Sequence, residues 1–263
     1  MKSISEIRKI CKEYSIRNYT INDDGSIDVD GYVNLSHRGL VKLPLEFNYV
    51  SGYFDCSGND LTSLEFSPKK VGITFQCRNN KLTSLEFGPT EVGGDFYCDH
   101  NDLTSLEFGP KKVGLHFSCS DNDLTSLEFS PNELSGSFNC NGNKLTSLKG
   151  CPKYVGTDFS CSRNELTSLE FSPIEVGSNF YCNYNSELFN LYGISDNING
   201  FLFCDNTPIK SIFNQVGIDF IKRFNSYKII KDGKIDLRRL KYLMKISGMS
   251  YNLEKIKEYY EII

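Results

Sequence analysis

The chain has 263 residues, and its 29 Lys and Arg side chains against 33 Asp and Glu give it a formal charge of −4. That near-balance argues against a general nucleic-acid binder, because such proteins usually carry a basic excess. Alanine and tryptophan are both missing. Without the best helix-forming residue, the chain is not expected to be mainly helical.

The first 30 residues predict a helix followed by a hairpin. Ser3 and Glu6 have capping-box spacing, and the apolar stripe that follows predicts an amphipathic helix over residues 1–14. Two short segments, 19–21 and 26–29, flank a turn sequence and predict the hairpin. No apolar run reaches 18 residues and no secretory leader follows Lys2, so we expect a cytoplasmic protein without a membrane span.

An internal repeat of 21 residues fills the middle of the chain. Eight of the ten cysteines follow this spacing, with one step of 22 at the end: Cys56, Cys77, Cys98, Cys119, Cys140, Cys161, Cys182 and Cys204. The common pattern is F-x-C-x-x-N-x-L-T-S-L-E-F-x-P-x-x-V-G. In F-x-C the period of two puts Phe75 and Cys77 on one face of a strand. Stacking of such strands predicts a parallel sheet with this face in the core.

Other positions of the repeat have predicted roles as well. The first seven repeat cysteines are each followed, three residues later, by an Asn that is expected to turn inward and to satisfy backbone groups that the turning chain leaves unpaired. Leu82 and Leu85 are predicted core contacts, and Pro89 favours an extended or polyproline return on the convex side. Cysteines one repeat apart lack the close spacing of zinc ligands, so we interpret them, and Cys151 with them, as core residues. We expect no metal site and no cofactor.

This pattern resembles the leucine-rich repeat, with Phe and Cys at the two inward strand positions. The resemblance covers residues 31–212. The short repeat is similar to the class found in bacterial effectors, and more similar still to the Asn- and Cys-rich repeat proteins of bacteriophages and large DNA viruses. The resemblance implies a leucine-rich-repeat solenoid of stacked parallel β-strands that recognises a protein on its concave sheet.

After residue 212 the pattern changes and predicts a helical C-terminal cap over residues 213–263. Helices are predicted over 216–224, 237–246 and 253–262, with a hairpin over 228–236. From Thr207 onward, 12 basic and 6 acidic residues give a balance of +6. A solvated outer face of the cap is the favoured interpretation, and contact with nucleic acid or an acidic partner stays open. The predicted organisation is a helix-hairpin cap over 1–30, a solenoid over 31–212 and this cap.

The outward positions of the predicted strands supply candidate binding residues. Aromatic side chains bracket a trough of small polar residues between Ser118 and Ser162, and aromatic anchors often carry the binding energy of protein interfaces. The predicted partner-binding residues on the concave face are Tyr53, Tyr97, His116, Tyr181, Phe201 and Phe203. For Phe201 and Phe203, cover by the C-terminal cap is an equal alternative.

Asp95, His116 and Ser137 stand in successive repeats, in an order that mimics a hydrolytic triad. An exposed sheet offers no evident oxyanion hole and no strained nucleophile turn, so catalysis is disfavoured. The favoured function is a non-enzymatic protein-binding module. Residue usage rich in Asn, Lys, Ile, Phe and Tyr fits a viral or low-GC bacterial source. From this we expect a phage or viral protein that engages a host factor in the host cytoplasm. The alternative is a structural or adhesive virion protein, and an enzyme or effector ranks below both.

Overall fold

The computed structural model of the protein describes residues 2–212, 216–231 and 233–263. Three parts of the predictions therefore lie outside the described residues. They are Met1 of the first predicted helix, the start of the C-terminal cap at residues 213–215, and Asp232 in the predicted turn of the second hairpin.

The N-terminal segment forms the predicted helix and hairpin. Helix α1 spans Ile4–Glu13; Ser3 Oγ accepts the N–H of Glu6, and the Glu6 carboxylate accepts the N–H of Ser3 at 2.7 Å. This reciprocal cap satisfies donors that the first turn of a helix leaves unpaired. Strands Tyr19–Ile21 and Ile27–Val29 pair in antiparallel fashion. The prediction of this element order is confirmed.

One short strand from each coil joins a ten-stranded sheet, called the main sheet below. Its strands, in chain order, are Val33–Asn34, Phe54–Asp55, Phe75–Gln76, Phe96–Tyr97, Phe117–Ser118, Phe138–Asn139, Phe159–Ser160, Phe180–Tyr181, Phe201–Phe203 and Val216–Gly217. The first nine are parallel with their neighbours, and the last pairs antiparallel with Phe201–Phe203. The predicted solenoid of stacked parallel strands is thus confirmed.

The return segments are extended, as predicted, and form sheets of their own. A six-stranded return sheet contains the N-terminal hairpin followed by Phe47–Val50, Lys70–Val71, Glu91–Val92 and Lys112–Val113. A three-stranded one contains Glu133–Leu134, Tyr154–Val155 and Glu175–Val176. Coils approach so closely at the following turn that a Cβ on Gly93 would lie 2.1 Å from the Gly72 carbonyl oxygen. A side chain at position 93 would therefore force these two coils to shift.

Stacked phenylalanines form the centre of the core. From Phe54 to Phe180, one ring per coil is fully buried, and successive ring centroids lie 5.0–5.8 Å apart. The repeat cysteines are buried beside them, and the Cys140 thiol donates to the Ser160 carbonyl at 3.2 Å. The predicted core role of these cysteines is confirmed, and Cys151, half-buried, packs against the same core.

The predicted inward asparagines are confirmed as links between coils. Asn80 donates from Nδ2 to the carbonyls of Cys56, Cys77 and Arg78 at 3.1, 3.0 and 3.3 Å. Its Oδ1 accepts the N–H of Leu61 at 3.1 Å. Every coil from Asn59 to Asn185 repeats the Nδ2 pattern. In the last coil Thr207 takes this position and donates to the Cys204 carbonyl.

The C-terminal segment is a small α/β unit. A 3-10 helix at Pro208–Ser211 is followed by α2 (Ile218–Ser226), strands Ile230–Lys231 and Lys234–Ile235, α3 (Leu237–Ile246), α4 (Leu253–Lys257) and strand Glu261–Ile262. The predicted helices were wrong at two places. Residues 216–217 are a strand of the main sheet, and residues 261–262 form a strand parallel to Lys234–Ile235. The helical pattern stops after Lys257 because the chain turns to bury Tyr260 and to complete this small sheet.

Candidate functional site

The outward face of the main sheet holds the predicted binding residues. Tyr97 lies near the middle of this face and is half-buried, with the Arg78 guanidinium carbon 4.1 Å from its ring centroid. Such a cation over an aromatic face is attracted by the ring quadrupole. Burial, and next the carboxylate of Asp95, raises the pKa of Tyr97. The phenol is therefore a neutral, pre-positioned aromatic group.

Aromatic pairs stand at both ends of the face. Tyr181 and Phe203 stack with centroids 4.8 Å apart, and Tyr53 stacks on Tyr32 at 5.0 Å. Phe201 is 49% exposed, whereas Phe203 is half-buried against Tyr181. In the part of the chain that is described, the C-terminal unit thus leaves about half of the Phe201 ring exposed. The face presents ordered rings whose rotamers are already restricted by their neighbours.

Asp95, His116 and Ser137 are not connected in the way that a hydrolytic triad requires. The backbone N–H of His116 donates to Asp95 Oδ1 at 3.1 Å, and its Nδ1 accepts the backbone N–H of Ser137 at 2.9 Å. The Ser137 hydroxyl instead contacts Thr157 Oγ1 at 2.7 Å. A nucleophile needs its hydroxyl within reach of the base. The hydrogen bonds of these three residues instead link successive coils.

Between the aromatic groups lies the predicted polar trough. Two adjoining cavities occupy it, of about 560 Å³ near Tyr97 and about 370 Å³ near Tyr181. In the trough, Asp99 is buried and accepts the hydroxyl of Ser120 at 2.9 Å, and the hydroxyl of Ser118 also donates to it. Asn141 Oδ1 accepts the N–H of Ser162 at 2.6 Å. The small polar residues therefore hold one another in fixed positions.

Several residues of this face were missed by the sequence interpretation. Arg78 and Arg163 each lie over a tyrosine ring, Tyr97 and Tyr184 respectively, and Arg78 Nε lies 3.5 Å from Asp99 Oδ2. The repeat identifies these positions as outward. It gives no sign of which outward side chains meet, because residues from different coils come together only through the stacking register.

Carboxylates outnumber cationic groups on this face. Six aspartates occupy its outward and edge positions against three cationic groups, those of Arg78, Arg163 and Lys210. Asp99 and Asp205 are already paired, with Arg78 at 3.5 Å and with Lys210 at 2.5 Å. The six aspartates are Asp55, Asp95, Asp99, Asp121, Asp158 and Asp205. The field of such a surface favours the approach of a basic partner.

No group of three or more His, Cys, Asp or Glu side chains among the described residues could hold a metal ion. Across those same residues, no helix has the length and apolar character needed to cross a membrane.

Comparison with known proteins does not assign this chain to a family. No protein-family model matches the chain, and no curated protein matches its sequence. Among solved structures, YopM from Yersinia enterocolitica WA-314 is similar with a TM-score of 0.42 and 17% identity, over 78% of this chain and 52% of that one. The chain thus spans about half the length of YopM. The fold described above is that of a repeat solenoid, an architecture that offers an extended binding surface.

Proposed function

We propose that this protein is a non-catalytic binding module that takes a protein partner on the outward face of its main sheet. The observation that carries the proposal is the arrangement of Tyr97 with Arg78 and of Tyr181 with Phe203 around a polar trough. Aromatic and Arg side chains are the usual anchors of protein interfaces, and small polar groups between them admit a partner's main chain. The excess of carboxylates favours a basic surface on the partner.

The narrower parts of the proposal rest on the resemblance of the repeat and on the residue usage of the chain. The partner is a host factor, the source is a phage or virus, and the compartment is the host cytoplasm. Residues 1–30 and 213–263 act as caps on the solenoid of residues 31–212. The structural or adhesive virion role is the competing outcome, and detection of the protein in purified particles would favour it.

The test compares two double variants. Tyr97→Ala with Tyr181→Ala removes two proposed anchors. Tyr49→Ala with Tyr154→Ala removes two tyrosines of the return sheets that are 41% and 44% exposed, and serves as the matched control. Partners captured from a candidate host lysate are identified by mass spectrometry, purified and titrated against each protein.

We expect the wild type and the control to bind equally and the Tyr97/Tyr181 variant to bind at least tenfold more weakly, since anchor truncations commonly cost about 2 kcal/mol or more. Circular dichroism confirms that each variant is folded. Equal binding by the folded Tyr97/Tyr181 variant would place the interface elsewhere and overturn the proposal.

A further inference from the structure

The two ends of the main sheet are built differently. At the C-terminal end, the antiparallel strand Val216–Gly217 covers Phe201–Phe203. At the N-terminal end, strand Val33–Asn34 pairs with Phe54–Asp55 on one side, and no other described strand pairs with it. The N-terminal hairpin joins the return sheet instead. One edge of the main sheet is therefore open.

The backbone carbonyls on this edge occupy the positions that, in the other coils, accept N–H groups from the preceding strand. In the first pair of coils, the N–H groups of Val33, Leu35 and His37 donate to the carbonyls of Tyr53, Asp55 and Ser57 at 2.9, 2.7 and 3.0 Å. The equivalent carbonyls one coil earlier are those of Tyr32, Asn34 and Ser36. None of these three accepts a hydrogen bond from the residues that the structure describes. Unpaired edge groups in such a row are a template for strand addition.

A groove gives access to the edge. It has a volume of about 300 Å³, with Tyr32, Asn34 and Ser36 on one side and residues 14–17, which follow α1, on the other. Tyr32 is 59% exposed. An added strand would run 4.7–4.9 Å from Val33–Asn34. Side chains that point inward from it would face residues 14–17, so this position favours small residues.

The charge of the groove identifies the kind of segment that fits. Arg17 and Arg38 both line it and are exposed, and neither forms an ion pair with any described residue. Their guanidinium groups favour carboxylate side chains on the added strand. Edge-to-edge pairing of two copies of this chain would instead bring four arginines together, which disfavours a homodimer through this edge.

We propose that the open edge at Val33–Asn34 binds an extended, acidic segment of a protein partner as an additional parallel strand. Its inward residues donate their N–H groups to the carbonyls of Tyr32, Asn34 and Ser36, and its outward residues are Asp or Glu near Arg17 and Arg38. This strand-addition site is separate from the outward face and does not depend on the function proposed for that face.

The experiment supplies the strand in cis. The peptide Glu-Thr-Glu-Thr-Glu-Thr is fused to the N-terminus of the full chain through a flexible Gly/Ser linker of about 15 residues, which gives an effective concentration in the millimolar range. The matched control is Glu-Pro-Glu-Pro-Glu-Pro on the same linker. Its charge is the same, but its inward residues have no N–H to donate. The readout is hydrogen exchange of the Asn34 amide, which faces the open edge.

We expect at least tenfold slower exchange of the Asn34 amide in the Thr fusion than in the Pro fusion, and loss of this protection when Arg17→Glu and Arg38→Glu are added. Equal exchange in the two fusions overturns the proposal. Sedimentation of the unfused chain tests whether two copies of the chain pair through this edge. A dimer with a protected Asn34 amide would assign the edge to a second copy and would also overturn the proposal.

Discussion

The imidazole of His116 accepts the backbone N–H of Ser137 at Nδ1, over 2.9 Å, and so links one coil to the next. Asp158 does the same for the N–H of Asn179, also at 2.9 Å. These outward side chains satisfy donors that lie just before each strand of the main sheet. Part of the outward face is therefore committed to holding the solenoid together, and the remaining side chains are the ones available to a partner.

This relationship predicts different outcomes for two substitutions of His116. His116→Asn keeps a side-chain acceptor, as Asn179 shows by accepting the N–H of Phe201 at 3.0 Å, and should change the free energy of unfolding by less than about 0.5 kcal/mol. His116→Leu leaves the Ser137 N–H without a partner and should cost about 1 kcal/mol or more. Urea unfolding measures both. Equal stabilities of the Asn and Leu variants would show that this hydrogen bond contributes nothing.

The inward asparagines should be the least replaceable polar residues. Asn122 donates to the carbonyls of Cys98, Cys119 and Ser120, each at 3.1 Å, and accepts the Leu103 N–H at 3.1 Å. Asn122→Ala leaves these buried groups unpaired and should lower the free energy of unfolding by about 2–4 kcal/mol. Asn132→Ala, at an exposed return position, is the control and should stay within about 0.5 kcal/mol of the wild type. Similar losses in both variants would refute the assigned role.

The buried cysteines predict a strong sensitivity to alkaline pH. Burial raises the pKa of their thiols above the ordinary value of 9.0, and that of Cys204 to about 12. Below about pH 8 the thiols are almost entirely neutral in both states, and the fold loses nothing. Above pH 9 the unfolded chain ionises first, so each buried thiol lowers the free energy of unfolding by about 1.4 kcal/mol per pH unit, until the pH reaches its raised pKa.

Urea unfolding between pH 7 and 10.5 tests this linkage. The stability should be flat to about pH 8 and then fall with increasing steepness. In Cys140→Ser, which removes one titrating group, the alkaline slope should be shallower by about 1.4 kcal/mol per pH unit, whatever its stability at pH 7. Parallel slopes for the two proteins would contradict the neutral, buried state of Cys140. Addition of a thiol reductant at pH 7 should leave the stability unchanged, because every cysteine is free.

The sequence was a good guide wherever a residue's role is set within its own repeat. Phe75 and Cys77 fall on one face because strands have a period of two. Asn80 and its equivalents in the other coils turn inward because of the local geometry of their own repeat. The C-terminal strand at residues 261–262 was missed because it exists only through pairing with Lys234–Ile235. The contact of Arg78 with Tyr97 was missed for a related cause, since it joins side chains of different coils. The periodicity of the sequence predicts local geometry, and it does not predict contacts between residues that are distant along the chain.

The phenylalanine after each Leu-Glu pair has an unusual backbone. Phe108 has φ +64° and is 52% exposed, although this left-handed region disfavours residues with a Cβ. Gly150 and Gly193 take the equivalent position in their coils, with φ +88° and +81°. The fold therefore accepts glycine there, and the ring is not required by the turn.

We expect Phe108→Gly to be more stable than Phe108→Ala by about 1 kcal/mol, the reverse of the usual order, because alanine loses the ring and keeps the strained backbone. Phe117→Ala, which empties a fully buried ring site in the next coil, should cost about 3–5 kcal/mol. Urea unfolding of the three variants gives both comparisons. If the alanine variant at position 108 proves the more stable one, the left-handed backbone carries no energetic cost and some other contact fixes this turn.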